Sequence, residues 1–423
     1  MVNQFKNKIL VLDDDPFMLK LIAHILESRG CTSVTTLDNG PAALEMVDRP
    51  NERPDLILLD LNMPGMDGVE FVRHLVEHRY SGSLILMSGE DEHLLRASEK
   101  LVRAHKIPLL GLCHKPVTGI VLASLLERFP LAYQNNVPVR DNVQSANPPA
   151  ENKVDGSAEL RAAIANGELI NCYQPIVSLT SGSLVGVEAL VRWCSPQNGT
   201  VYPYKFLGVA ERSGLIHELT RTILTNALVQ TKAWLDEGMS LRLAVNVSTY
   251  NLESLEFADS VIALATAADL APQNVVLEVA ESWLPMHDQP VLLETLTRLH
   301  LNRFSLSIDE FGTGYSSIAQ LHGMPFDEIK IDRSLVHGIS TNAKLKAKFD
   351  ATLAIARRLN VETGAVGVED AGDWGMLRRS GCEHAQGSFI ANPMPADEFP
   401  GWLQAWQTRV LEERLVDEKA YFK

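Results

Sequence analysis

The sequence predicts an α/β chain in two parts, a doubly wound parallel sheet followed by a β/α (TIM-like) barrel. Three observations carry this. Strand-like and amphipathic runs alternate as far as about Pro130, and a polar, proline-containing stretch follows. The alternation then resumes from Ser157 over roughly 250 residues, the usual size of a β/α barrel. The expected divisions are residues 1–130 for the first domain, 131–156 for a linker, 157–409 for the barrel and 410–423 for a charged helical tail.

In order along the chain, KILVLDDD reads as the first strand and PFMLKLIAHILESRG as a helix ending at glycine. CTSVTTLD, PDLILLDL, GSLILMSG and IPLLGLCHK continue as strands, with helical stretches between them. Ligands of such sheets bind outside the carboxyl ends of the strands. The stretch QNNVPVRDNVQSANPPAENKVDG is polar and has little periodicity, which suits a linker of mixed stiffness. In the second part VGVEALVRW, LRLAVNVS, NVVLEVAE and FSLSIDEFGTGYSS read as strands. Each brings one acid or amide to its end: Glu188, Asn246, Glu278 and Asp309. A hard divalent cation needs several oxygens converging from different directions, and the rim of a barrel supplies that geometry. A fifth run, VETGAVGVED, places Val366 where the same logic expects a further acid. The last helical run, ADEFPGWLQAWQTRVLEERLVDEK, carries Trp402 and Trp406 on one face as core packing. There is no internal repeat and no low-complexity tract.

Composition narrows the function classes. A chain of 423 residues, 46% hydrophobic and 22% charged, has room for two or three ordinary cores. No apolar run approaches the ~20 residues that span a bilayer. The N-terminal MVNQFKNKILVLDDD reads as a first strand and not a signal peptide. Five scattered cysteines, odd in number and without metal-ligand spacing, read as reduced thiols in a cytoplasmic protein. A formal charge of −15 argues against nucleic-acid binding through a basic surface, and no DNA-binding motif is present. It leaves open a small anionic ligand held locally by arginine, lysine and metal.

The first domain gathers polar groups at strand ends. Asp13 and Asp14 end the first strand, Asp60 the third, Ser88 the fourth and Lys115 the fifth. Three carboxylates at one sheet edge repel unless a cation joins them, so Mg²⁺ is the natural inference. A carboxylate held against Mg²⁺ can attack phosphorus, while lysine and a hydroxyl contact the phosphoryl oxygens. On these residues the segment resembles the receiver domain of bacterial response regulators. The resemblance implies that Asp60 is the phosphoacceptor, Asp13 and Asp14 the metal pair, Ser88 the switch hydroxyl and Lys115 the phosphate-contacting lysine. It also implies a sensor histidine kinase as partner. Leu112 stands where many receivers carry an aromatic switch residue.

The second domain carries Glu188-Ala189-Leu190, NVS, the Glu278 run, DEFGTGYSS, IKID and QG in order. This resembles the EAL domain, a family that hydrolyses cyclic di-GMP to the linear dinucleotide. The resemblance implies that Glu188, Asn246, Glu278, Asp309 and Glu310 hold Mg²⁺ or Mn²⁺. It implies that Lys330 lies near the attacking water and that Gln174, Arg192 and Gln386 contact ligand. Glu281 and the segment 311–317 resemble the loop that links metal occupancy to dimerisation, so a homodimer is expected. Three departures bear on turnover. Active relatives carry two aspartates where this chain has Asp309-Glu310. The first glutamate of their Ala-Glu-Gly-Val-Glu motif is Val366, which can neither bind metal nor accept a proton. Ser388 and Asn392 replace an expected tyrosine and basic residue. The expectation is a response regulator whose degenerate barrel binds cyclic di-GMP or a protein partner under control of Asp60. The alternative is a phosphorylation-regulated phosphodiesterase of weak activity.

Overall fold

Five parallel strands, β1 (Phe5–Leu12), β2 (Cys31–Leu37), β3 (Leu56–Asp60), β4 (Ser83–Ser88) and β5 (Leu109–His114), open the chain in this computed structural model. The structure describes residues 5–89, 92–126, 129, 156–282, 289–313, 321 and 323–416. Residues 131–155 of the expected linker, 314–317 of the FGTGYSS loop and 417–423 of the tail lie outside the described residues.

The strand order is β2-β1-β3-β4-β5. β3 and β4 are buried at every position, as strands covered by helices on both faces must be. Their unbroken apolar runs follow from that double burial. The order reverses at β1, which has β2 on one side and β3 on the other. The crevice of such a sheet therefore opens at the carboxyl ends of β1 and β3. Helix Gly68–Glu77 starts beside that crevice, with Asp67 as its N-cap accepting from the Glu70 amide at 2.8 Å. A Cβ on Gly68 would stand 2.3 Å from the Asp60 carbonyl oxygen, so only glycine lets this helix begin so close. Helix Pro290–Leu301 and residues Gly323–Pro325 group with this first unit, and the remaining described residues from 156 onward form the second.

The second unit is a closed ring of eight strands. They are β6 (Leu169–Ser178), β7 (Leu184–Ser195), β9 (Arg242–Asn246), β10 (Val275–Ala280), β11 (Ser305–Phe311), β12 (Glu328–Ile331), β13 (Glu362–Val366) and β14 (His384–Gln386). A short β8 (Gly199–Val201) extends β7 as a hairpin. The ring runs β6-β14-β13-β12-β11-β10-β9-β7 and closes by pairing β6 with β7. The barrel expected from the sequence is thus present, with one correction. β6 lies antiparallel to both of its neighbours, and the ring is not parallel throughout. The reason is local: only residues 179–183 separate β6 from β7, and a parallel pair needs a crossover of a dozen residues or more.

Large apolar groups fill the space between ring and helices. Trp234 packs edge-on against Tyr173 at 4.8 Å between ring centroids and tilts against Phe399 at 4.7 Å. Trp402 stacks on Trp406 at 6.1 Å, and the buried Trp406 donates from Nε1 to the Gly182 carbonyl at 2.8 Å, so both tryptophans of the final helix serve packing. Among the described residues no helix is long and apolar enough to cross a membrane.

Candidate functional site

Asp13, Asp14 and Asp60 meet at the crevice of the five-stranded sheet, with one carboxylate oxygen of each within 4.8 Å of the others. Asp13 and Asp60 are buried and Asp14 is exposed. Lys115, the residue after β5, reaches both buried acids from Nζ, Asp13 at 2.8 Å and Asp60 at 2.9 Å. Its backbone amide donates to the Ser88 carbonyl at 2.9 Å, which fixes Ser88 and Lys115 side by side. Burial pushes the Asp60 carboxyl up to about 6, only partly offset by Lys115. Asp60 Oδ1 is buried and finds no hydrogen-bond partner among the described residues. A buried orphan oxygen inside an acidic triad fits a hard cation and an incoming phosphoryl group. The five expected positions are therefore brought to one sheet edge.

In the barrel, β12 lifts Lys330 into the centre of the acids. Its Nζ lies 2.9 Å from Glu188 Oε2 and 2.5 Å from Glu278 Oε1. Asn246 donates to Glu188 Oε1 at 2.6 Å, and Gln386 donates to Glu188 Oε2 at 2.8 Å. Asn246 and Glu278 are register partners, as are Ala280 and Asp309, so β9, β10 and β11 present their groups on neighbouring strands. Of the four groups expected at strand ends, Asn246 ends β9, Glu278 and Asp309 stand two residues before the ends of β10 and β11, and Glu188 departs furthest. It lies inside β7, whose remaining residues run on into the β8 hairpin.

The electrostatics follow from burial and the one ammonium. Burial opposes ionisation of Glu188, but Lys330, Gln386 and Asn246 outweigh it and hold this carboxyl below its usual range. Glu278 is driven well above its usual range by burial and by the nearby Glu188 and Asp309, against which Lys330 does not suffice. Asp309 is raised by burial first and by Glu188 next. Lys330 is raised well above its usual range, since three carboxylates together overcome the cost of burying it. Glu278 Oε2 and Gln386 Oε1 are buried without a hydrogen-bond partner among the described residues. These orphan oxygens, beside Glu188, Asn246 and Asp309, fit divalent cations of the Mg²⁺ or Mn²⁺ type.

The other expected residues divide. Gln174 joins the cluster, accepting from Gln386 at 2.9 Å and donating to the Ala391 carbonyl at 3.0 Å. Val366 ends β13 in register with Gln386 and is only partly buried. Glu310 stays exposed, in the left-handed region at φ +57, where the pairing of β11 with β12 slips. Arg192 lies further along β7, with its guanidinium 5.0 Å over the Tyr202 ring. The buried Glu281 accepts from the Gly312 amide at 3.0 Å and so ties the end of β10 to the loop after β11.

Beside the acids opens a largely apolar cavity of about 400 Å³, walled by Leu190, Pro203, Leu207, Ile216 and Ile223 and floored by Glu188, Asn246 and Asp309. Glu211 and Ser248 also line it, and Ser248 Oγ donates to Glu211 Oε1 at 2.9 Å. The sequence reading missed both. Ser248 stands in the NVS run that was noticed for Asn246, whereas Glu211 sits on a short helix with no signal of its own. A cavity of this size with a few convergent polar groups is the usual form of a small-molecule site.

Comparison with known proteins agrees with this geometry. The family model described as EAL domain matches residues 157–393, and that described as response regulator receiver domain matches residues 9–123. Over 391 residues the chain is 31% identical to the cyclic di-GMP phosphodiesterase RocR of Pseudomonas aeruginosa, covering 92% of this chain and 97% of RocR. It is 36% identical over 256 residues to the bifunctional diguanylate cyclase/cyclic di-GMP phosphodiesterase MucR of the same organism, covering 60% of this chain and 37% of MucR. Among solved structures, the PaMucR phosphodiesterase in complex with c-di-GMP superposes with a TM-score of 0.55 at 37% identity, covering 57% of this chain and 98% of that one.

Proposed function

Since the chain belongs to the EAL-domain family and carries a response regulator receiver domain ahead of that barrel, we propose that it is a two-component response regulator with a cyclic di-GMP-binding output. A histidine kinase supplies the phosphoryl group to Asp60, and the barrel takes the dinucleotide in the cavity beside Glu188, Asn246 and Asp309. In this reading the barrel turns its ligand over far more slowly than its active relatives do, works as a homodimer and resides in the cytoplasm.

One observation carries the slow turnover. β13 ends in Val366, in register with Gln386, and Gln386 is bonded to Glu188. An acid at this position would stand beside the cation-binding oxygens, whereas an aliphatic side chain can neither hold a cation nor take a proton there. Apart from the changes at Glu310, Ser388 and Asn392, the other expected groups are present. Glu188, Asn246, Glu278, Asp309 and Gln386 would hold the divalent ions, which supply an activated water and neutralise the phosphodiester when bound. Lys330 holds Glu188 ionised and adds positive charge opposite the phosphodiester anion. Gln174 fixes the orientation of Gln386. In the receiver, Lys115 supplies a cation against the phosphoryl oxygens of phosphorylated Asp60.

A second reading, an authentic phosphodiesterase, is favoured by the likeness to RocR over nearly the whole of both chains. The two separate in one experiment. Cyclic di-GMP is titrated calorimetrically into the purified chain with Mg²⁺ or Mn²⁺, and the same mixture is followed for the linear dinucleotide. Saturable binding with negligible product supports the first reading, and turnover at the rate of active relatives supports the second. Absence of binding refutes both.

A further inference from the structure

The parallel strands of the barrel begin at a mouth opposite the acidic rim, and three of them begin with metal-ligating residues. Glu328 is the first residue of β12, Glu362 of β13 and His384 of β14, three consecutive strands of the ring. We propose that Glu328, Glu362 and His384 form a second metal site of the barrel, selective for first-row divalent ions such as Zn²⁺ or Co²⁺.

The spacing suits such an ion. One ligand atom from each residue lies within 4.8 Å of the others. Glu328 Oε1 and His384 Nδ1 are 3.2 Å apart. In a tetrahedral site with bonds of about 2.0–2.1 Å the donors stand about 3.4 Å from one another, so this pair is already at ligand spacing. Glu362 is exposed and can close the remaining gap by rotation of its side chain. Imidazole with carboxylates selects Zn²⁺, Co²⁺, Fe²⁺ or Mn²⁺, whereas the oxygen-rich rim suits Mg²⁺ or Mn²⁺.

One observation independent of the cluster points to a ligand here. Ser307 on β11 is fully buried, and its Oγ finds no hydrogen-bond partner among the described residues. Ser307 is the register partner of Glu328, and register partners on adjacent strands project from the same face of a sheet. Its side chain therefore lies on the face that carries Glu328, where a metal-bound water could satisfy the orphan hydroxyl. A Cβ on Gly364 would stand 3.3 Å from Glu328 Oε1, so a larger residue there would crowd that carboxylate.

A purely structural account would pair Glu328 with His384 and Glu362 with Arg242, whose Nη2 lies 3.2 Å from Glu362 Oε2. The two accounts make opposite predictions for Arg242. As a structural partner it stabilises the mouth, and its loss leaves metal affinity unchanged. As a competitor for Glu362 it opposes the ion, and its loss tightens binding.

The test uses the full chain carrying Asp13→Asn and Asp309→Asn, which weaken the other two acid clusters. It is stripped with chelator and titrated with Co²⁺ and Zn²⁺, reading the visible absorption of Co²⁺, the metal retained after gel filtration and the melting temperature. One tightly held equivalent is expected, with a melting temperature raised by Zn²⁺. Glu362→Gln, on an exposed residue that leaves the core untouched, should weaken binding at least tenfold, as should Glu328→Gln. Arg242→Gln should tighten it several-fold. No tightly held equivalent, retained affinity in both glutamate variants, or unchanged or weaker binding in Arg242→Gln overturns the proposal.

Discussion

Replacing Val366 by glutamate puts an acid into a register already fixed by the sheet. Val366 pairs with Gln386 across β13 and β14, and Gln386 Nε2 is 2.8 Å from Glu188 Oε2. Neighbouring strands lie about 4.8 Å apart, a gap that the longer glutamate side chain spans. Its carboxylate would therefore come beside Glu188 and the orphan Oε1 of Gln386. Val366 is only partly buried, so the exchange costs about 1–2 kcal/mol of stability and leaves the fold intact. A positioned proton-transfer group contributes about 10²–10⁴-fold in rate, or about 2.7–5.4 kcal/mol at the barrier. The expected result is a rise of that order in kcat for release of the linear dinucleotide with Mn²⁺ or Mg²⁺, at little changed ligand affinity. A folded Val366→Glu chain that binds ligand and ion yet turns over no faster than the parent refutes the reasoning. It would show that Glu310, Ser388 or Asn392 limits the site instead.

Lys330→Met removes the ammonium that holds Glu188 ionised and bonds Glu278, leaving the buried Glu188 carboxylate uncompensated at a cost of about 3–5 kcal/mol. Thermal melts should show a large fall that Mn²⁺ partly reverses, and an unchanged melting temperature contradicts the assigned counter-ion role. Asp60→Asn should abolish uptake of phosphoryl from acetyl phosphate, read as loss of the mass increment, while leaving cyclic di-GMP binding by the barrel measurable. Burial pushes the Cys382 thiol up to about 12, whereas Cys194 is exposed. Iodoacetamide at pH 8 should therefore label Cys194 and leave Cys382 untouched until the chain is denatured, as peptide mass spectrometry can check.

The acids were legible in the sequence because β/α folds place polar groups where a hydrophobic run stops. Asp60, Ser88 and Asn246 each end a strand, and the apolar residues before them announce it. Glu188 broke this pattern, since its strand continues into a hairpin that an apolar run cannot distinguish from a longer strand. The reversal of β6 was written in the short SLTSGS turn, whose length forbids a crossover, but alternation of strand and helix elsewhere overrode it. Lys330 was read as a group near the attacking water, while its bonds to Glu188 and Glu278 depend on how far β12 reaches into the ring. Glu328 and His384 lie far apart in sequence, and each alone reads as an ordinary strand residue. The pairing of β12 and β14 on either side of β13 brings them together.

The antiparallel β6 also decides how the ring can be assembled. Its pairing with β7 joins neighbours in sequence, so that hairpin can form as soon as both strands exist. Its other edge waits for β14, with Ser178 meeting His384 near the far end of the barrel sequence. A nascent chain that has not yet emitted β14 therefore carries two bare strand edges, and raw edges recruit other chains. Truncations that end before His384 should accumulate as aggregates and not as smaller soluble barrels.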